Sequence, residues 1–496
     1  MPATMTLTTE APPAEALAQL DPRRFKALFI IALAQLMIVL DASVVTIALP
    51  SAQRALHISL QNRQWALTAY TLTFGGLLLI GGRIADFAGR KRTFILSLFG
   101  FAGASAFGGL ALNGGMLFGA RALQGAFAAL MAPASLSLLT VTFTEARERA
   151  KAFGVYGAVA GGGAAIGLVL GGLLTQYASW RWTLLINVPI AVVTAVAASR
   201  EVRESRAEGP RRYDVPGALL ITFGLLSLVY GFTKAQSDGW GSGATVLLLV
   251  AAIVLIGAFV AVERRSSAPL LPLRVVLDRN RGGSFLASLL VGLALFGTFL
   301  FLTFYLQLTL HYSALKSGFA FLPFSGGIIV SAALASQLLP RLGPRVLMAG
   351  GLLMAALGLA WFTQIGLHTS YVAHVLPSEI VVSVGLGFVF VPFSSTALIG
   401  VAPHDAGVAS ALVNATQQVG GSLGTALLNT VYASAAAGYL AAHRGVLAPA
   451  LAPIHGYAIG FTVSGSILAL AMVLSVVLIR ASRHDLAAGS AVALAP

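Results

Sequence analysis

Fourteen stretches of this chain are apolar for about the length that crosses a bilayer, roughly 20 residues each. They lie near 27–49, 64–82, 93–112, 115–140, 152–175, 182–199, 214–233 and 243–262, then 284–308, 317–339, 346–366, 377–402, 407–434 and 457–480. In hydrocarbon every backbone N–H and C=O must be bonded inside the segment, so runs of this length become α-helices. Little remains for a water-facing coat: 57% of the 496 residues are hydrophobic and 10% are charged, against about 25% charged in soluble proteins. The 54 glycines suit helices that pack backbone to backbone in lipid. The expected fold is an all-α integral membrane protein with 14 transmembrane helices.

The charges fix a topology. With the N-terminus inside, the cytoplasmic segments hold 24 of the 31 Lys and Arg and the external loops hold six: Arg54, Arg63, Arg181, Lys234, Lys316 and Arg444. Basic residues accumulate on the cytoplasmic side, so both termini are expected there, in a cytoplasmic (inner) cell membrane crossed many times. The expected divisions are a tail, 1–26; a six-helix bundle, 27–199; a linker, 200–283, carrying an inserted helix pair at about 214–233 and 243–262; a second six-helix bundle, 284–480; and a tail, 481–496. Twelve spans would leave 214–262 outside the bilayer despite its two apolar runs. The tail before the first run has no convincing cleavage site and predicts an uncleaved first helix. A weak internal repeat joins the halves, since Gly89 and Gly343 both stand among basic residues after a second helix.

Several functions are disfavoured. The net charge of +14 falls in short clusters between apolar runs, which is membrane topology and not a nucleic-acid face. There is no cysteine, no phosphate-binding loop for ATP, no histidine spacing for a metal and no complete hydrolase elbow. The chain is therefore expected not to be an enzyme and to need no cofactor.

Ionisable groups at membrane depth are costly and mark function. Asp41 lies about 4–5 Å and Arg121 about 9 Å outward of their span centres at 1.5 Å per residue, so the two can pair. Asp41 is a candidate proton-binding carboxylate in a desolvated setting, with Arg121 modulating it; the plainer alternative is an ion pair that fixes two helices. Glu379 is expected at the external interface. The loop with Gly82, Asp86, Gly89, Arg90, Lys91 and Arg92 reads as a cytoplasmic gate latch or as positive-inside topology alone, with Asp86 accepting from Arg90 or from a helix N-terminus. Gly163, Gly167 and Gly171, with Gly172 beside them, form a small-residue packing stripe on the fifth helix. Gln35, Tyr70, Gln124, Gln307, Asn414 and Gln417 are candidates for a substrate cavity.

At this point the chain resembles the major facilitator superfamily, and within it the 14-span drug:proton antiporters. Asp41-Ala42-Ser43-Val44-Val45-Thr46-Ile47-Ala48-Leu49-Pro50 is similar to their first-helix motif, and Gly82 to Arg92 to their loop between helices two and three. Arg121-Ala122-Leu123-Gln124-Gly125 resembles the fourth-helix motif; Trp180-Arg181-Trp182 with Asn187-Val188-Pro189 resembles the entry to helix six; and Asp405 to Ser410 resembles the start of helix thirteen. Gly167-Leu168 stands where the family usually has Gly-Pro, which implies a straighter fifth helix, and Phe87 replaces a basic residue.

The resemblance implies two bundles rocking about a midplane site, with Asp41 and Arg121 coupling protons to export of amphipathic or hydrophobic compounds such as drugs or antibiotics. Few acids in the second half favour neutral, anionic or singly charged substrates. The alternatives are uptake of an organic solute by symport or facilitation, and a non-transporting sensor or scaffold. The expected partners are the substrate and the bilayer, with no nucleic acid; the chain is expected to be monomeric, with accessory envelope proteins as a further option.

Overall fold

In a computed structural model, residues 23–60, 62–143, 145–206, 214–266, 269–271, 273–401 and 406–481 are described. The tails 1–22 and 482–496, the linker segment 207–213 and Asp405 of the thirteenth-helix motif lie outside the described residues.

Every regular element among them is helical. The first half contains α1 (Arg24–Ala55), α2 (Trp65–Ala88), α3 (Arg90–Gly109), α4 (Gly114–Thr142), α5 (Ala146–Tyr177), the short α6 (Trp182–Leu185) and α7 (Asn187–Glu201). Then come the pair α8 (Val215–Asp238) and α9 (Gly243–Arg265) and the short α10 (Leu273–Val276). The second half contains α11 (Arg279–Phe304) with a π-helical turn Tyr305–Thr309, α12 (Ala314–Ala320), α13 (Leu322–Leu342) and α14 (Pro344–Phe362). A second π-helical turn, Tyr371–Val375, leads into α15 (Leu376–Ala397), followed by α16 (Ala406–Ala442) and α17 (Ala448–Leu478).

Ten of these helices, counting contiguous pieces as one, are long and apolar enough to cross a membrane. The helix α2, bent by 55° between Leu78 and Ile80, makes an eleventh. Three more expected spans fall on α3, α5 and α16, of 20, 32 and 37 residues. The protein is a multi-pass membrane protein.

Polar side chains at the helix starts accept bonds from N–H groups that have no partner within the helix. Asn113 accepts from Met116 N at 2.9 Å, Asp214 from Gly217 N at 2.8 Å, and Asp278 from Arg281 N at 3.0 Å. Gly89 and Gly343 open α3 and α14 at φ 114° and 77°, so the loops that form the weak repeat share a left-handed glycine that other residues adopt at a cost.

Close helix contacts follow the small residues. A Cβ on Gly167 would fall 2.5 Å from Ser43 Oγ, and one on Gly171 would fall 2.9 Å from Val44 Cα, so the predicted stripe seats α5 on α1. Gly424 packs on the Leu293 carbonyl in the same way, bringing α16 onto α11. Gly172 turns elsewhere, with its virtual Cβ 2.7 Å from Ala314 O. It therefore joins α5 to α12 of the second half. The helix α8 wedges Leu225 and Val229 against Leu72, Val419 and Leu423, which lie on α2 and α16.

Both ends of the described chain lie on one face, here the terminal face. Arg279 Nε donates to Leu478 O at 3.0 Å, and Arg24 reaches Glu148 at 2.8 Å. On the opposite, distal face the halves touch: Gln307 Nε2 donates to Ile47 O at 3.0 Å, and Gly318 packs on Leu168 O.

Candidate functional site

Three helices of the first half meet at one carboxylate. Asp41 comes from the middle of α1, Arg121 and Gln124 lie one turn apart on α4, and Asn187 begins α7. All four are buried to within 1% of full exclusion. Arg121 Nη1 donates to Asp41 Oδ2 and, at 2.8 Å, to Gln124 Oε1. The second carboxylate oxygen, Oδ1, accepts from Gln124 Nε2 and Asn187 Nδ2, each at 2.8 Å. Arg121 Nε donates to Ala66 O on α2 at 2.9 Å, and its guanidinium lies 4.4 Å above the Tyr70 ring. Gln124 Nε2 also meets Ser105 Oγ of α3 at 2.7 Å.

The contacts suit a charged carboxylate: its two oxygens accept from three side-chain donors, one of them the Arg121 cation. A proton added to either oxygen would point at an N–H group. It would cancel the charge that binds Arg121 and loosen the tie between α1, α4 and α7. Burial magnifies the difference, because desolvated charges interact strongly and an unpaired one is costly. Chemically, the site is one buried carboxylate whose negative charge ties three helices together.

The pairing of Asp41 with Arg121 agrees with their matched depths in the first and fourth apolar runs. Depth gives no hint of Asn187 or Ser105, which are neutral residues of a kind common throughout the chain; the one signal for Asn187 is its place in the helix-six motif. Gln124 and Tyr70 sit inside this cluster and not on an open cavity, because a buried guanidinium needs an acceptor and tolerates an aromatic face. The other cavity candidates are scattered. Gln35 accepts from Tyr156 Oη at 2.6 Å, Gln307 is spent on the distal contact, and Asn414 and Gln417 are respectively exposed and half-buried on α16.

In the Gly82–Arg92 loop, Arg90 donates to Asp86 Oδ1 at 2.9 Å. Glu204 accepts from Lys91 N at 3.0 Å and Arg92 N at 3.2 Å, so an acid sits at the α3 N-terminus, where the helix dipole favours it. Lys91 Nζ reaches Ser199 O at 2.7 Å, and Arg83 reaches Pro269 O at 3.0 Å. Gly82 faces Pro133 of α4. The loop thereby joins α2, α3, the segment after α7 and the chain that leaves the inserted pair.

Two charges lie deeper than their place in the sequence indicated. Arg63, expected in an external loop, is fully buried. Its guanidinium is 4.0 Å from the Phe304 ring centre and 5.1 Å from that of Tyr432, and the Tyr457 hydroxyl lies near it without a well-formed hydrogen bond. The turns before α2 fold it inward under the second half. Glu379, expected at the interface, is also fully buried, because the π-helical turn Tyr371–Val375 covers it and begins the span eight residues earlier.

The Major Facilitator Superfamily model matches residues 31–425. The chain belongs to the major facilitator superfamily. Among curated members, this superfamily protein is 51% identical over 463 residues to the puromycin resistance protein pur8 of Streptomyces alboniger, covering 92% of each chain. It is 39% identical to the cephamycin export protein CmcT of Amycolatopsis lactamdurans, over 84% of this chain and 88% of that one. In fold it resembles an inward-facing, occupied crystal structure of a bacterial homolog of the human lysosomal transporter Spinster. The TM-score is 0.67 at 16% identity, covering 94% of this chain and 98% of the other.

Proposed function

We propose that this chain is a proton-driven exporter of amphipathic or hydrophobic antibiotics, resident in the cytoplasmic membrane with fourteen spans and both termini in the cytoplasm. The terminal face is then cytoplasmic and the distal face external. Two six-helix halves, 27–199 and 284–480, rock about a site between them, with α8 and α9 as the inserted pair. The coupling ion is the proton and no other cofactor takes part. The chain acts as a monomer.

The observation that carries this reading is the fully buried Asp41 carboxylate, held by Arg121, Gln124 and Asn187 from two other helices. An external proton reaching Asp41 breaks that tie and favours one arrangement of α1, α4 and α7; losing the proton inward restores the other. Coupling follows only because the proton binds the two arrangements with different affinity. Export as the direction is supported by relatives named for resistance or export, including the tetracenomycin C protein of Streptomyces glaucescens.

Purified protein in liposomes tests this, with puromycin as the first compound because of the 51% identity. An imposed proton gradient should drive its accumulation against its own gradient. The Asp41→Asn variant should lose gradient-driven transport and keep at most passive exchange. Undiminished coupled flux in that variant would remove Asp41 from the mechanism.

A further inference from the structure

The second half holds a buried acid that this mechanism does not use. Glu379 lies in the first turn of α15, about 7–8 Å to the distal side of the centre of the span Tyr371–Ala397 at 1.5 Å per residue. No ion pair among the described residues includes it. Its Oε1 is buried without a hydrogen-bond partner, and its Oε2 has a single neighbour, the Tyr371 hydroxyl at 3.2 Å.

The surrounding elements bring no cation to it. From α11, α13 and α14 come Arg279, Arg281, Arg341 and Arg345, all at the terminal ends of those helices and so across the membrane from Glu379. The helix α16 carries Tyr432 and Tyr439, with His443 just beyond it. The π-helical turn carries Tyr371 and His374, and the imidazole of His374 is bonded to Trp361 O at 3.1 Å. Lys316 of α12 stands over the Tyr312 ring at 3.7 Å, next to Tyr371.

Hydrogen counting leaves the acid short of donors, because the one Tyr371 hydrogen is in reach of both Ala320 O and Glu379 Oε2. The Tyr371 hydroxyl has one hydrogen and lies 2.6 Å from Ala320 O, the shorter of its two contacts. With that hydrogen on the carbonyl, the contact to Glu379 is a hydrogen bond only if the carboxyl group donates. An ionised carboxylate here would be buried without a cation or a committed donor, which membrane interiors do not tolerate. The same tyrosine lines a distal-face cleft of about 740 Å³ together with Tyr312, His311 and His368. It sits on a π-helical turn, a distortion frequent at functional sites.

We propose that Glu379 is a second proton-binding site, a carboxylic acid in this arrangement, which exchanges its proton with the distal cleft through the Tyr371 hydroxyl. On loading, a hydronium ion in the cleft gives a proton to Tyr371 Oη and remains as water, as the tyrosine's own hydrogen passes to the Glu379 carboxylate at Oε2; unloading reverses both transfers, and the tyrosine ends neutral each way. The role in transport rests on the export reading above. The protonation itself does not.

Infrared spectra of the purified full chain in lipid discs test the protonation without any substrate. The wild-type protein should show the carbonyl stretch of a buried protonated carboxylic acid near neutral pH. That band should vanish in Glu379→Gln, whose amide replaces the acid in shape and still donates to Tyr371, and shift in Tyr371→Phe. A wild-type spectrum without such a band overturns the proposal, whether or not the variants fold. So does a band that survives intact in folded Glu379→Gln. In liposomes, Glu379→Gln should move one proton fewer per substrate and flatten the pH dependence of export on the distal side, whereas Asp41→Asn should abolish coupling and leave the infrared band in place. An unchanged proton ratio in Glu379→Gln overturns the role in transport. Intact coupling in Asp41→Asn with the band retained sinks the export reading's proton site and leaves Glu379 standing, whereas loss of the band in Asp41→Asn assigns the band to Asp41 and overturns the proposal.

Discussion

The two halves of the molecule bury their charges by opposite means. In the first half a charged pair is surrounded by donors and acceptors drawn from five helices, with Asp41, Arg121, Gln124, Asn187, Ser105 and the Ala66 carbonyl all in contact. In the second half the packing around the centre is aromatic: Phe301 stacks on Tyr432, Tyr432 on Tyr457, and Phe362 meets Phe461. A charge that enters these rings lies against them, as Arg63 of the first half does, and the second half's own buried acid is discharged, as we infer for Glu379. A polar network has a definite arrangement for each protonation state, whereas a ring stack tolerates sliding. On the proposed export mechanism, the first half would sense the proton and the second would give way when the halves move.

The sharpest way to break this comparison is to remove one partner from each kind of burial. Arg121→Ala leaves Asp41 as an uncompensated buried anion, a change that costs about 3–5 kcal/mol in buried pairs. It should lower the thermal unfolding temperature in detergent strongly and abolish export. The double variant Arg121→Ala with Asp41→Asn should recover much of the stability and none of the coupling. Equal unfolding temperatures for the single and double variants would show that the two charges are not coupled.

Gly172 tests the contact between the halves. Its virtual Cβ lies 2.7 Å from both Ala314 O and Leu315 Cα, which are backbone atoms that cannot swing aside. Gly172→Ala should therefore oppose distal closure by the roughly 1–3 kcal/mol typical of overpacking, shifting the balance of states about 5- to 150-fold. Distance measurements between spin labels on α5 and α12 would register the shift. Gly103→Ala is the control, since nothing lies within 4 Å of a Cβ there. A Gly172→Ala protein with wild-type distances and export would show that the contact is not a moving one.

A smaller effect is expected at Arg63. Replacing it with Met removes a cation held mainly by rings, worth about 0.5–2 kcal/mol. The Arg63→Met protein should fold nearly as well as the wild type, in contrast with Arg121→Ala, while its distal face opens more readily. Strong destabilisation would mean that Arg63 has a polar role like that of Arg121.

These contrasts also explain what the sequence could and could not reveal. Apolar runs and basic clusters exposed the membrane fold, and two opposite charges at matched depth exposed the pair, because hydrocarbon makes both signals expensive and therefore rare. Asn187 and Ser105 were hidden because neutral polar residues are cheap enough to occur in many spans. Arg63 and Glu379 were set too shallow for a related reason. Each lies near the end of an apolar run, and there hydropathy cannot tell a loop from a turn folded back under its neighbours. The direction faced by Gly172 was equally out of reach, since spacing defines a face and not the partner that meets it.

The smallest expected effect lies outside the bilayer, where Arg24 and Glu148 clamp the starts of α1 and α5 through two hydrogen bonds of 2.8 and 3.0 Å. The Arg24 bond holds the Glu148 carboxyl below its ordinary range, with burial opposing it and the charges of Arg24 and Lys151 adding to the depression. A carboxyl whose folded pKa is depressed contributes its stability above the unfolded value and loses it as the pH falls through the folded one. The clamp should therefore be intact through neutral pH and release only in acid below the usual carboxylate range. Solvent exposure and salt keep its worth small. Protection against hydrogen exchange at the first turns of α1 and α5, taken relative to an unstructured amide at the same pH, should fall on acidification in the wild type. In Glu148→Gln that protection should be low and indifferent to pH, with the Asp41 cluster unaffected in both. Loss of protection that begins near neutral pH would instead tie these helix starts to a histidine or to the buried site, and would make the terminal face part of the switch.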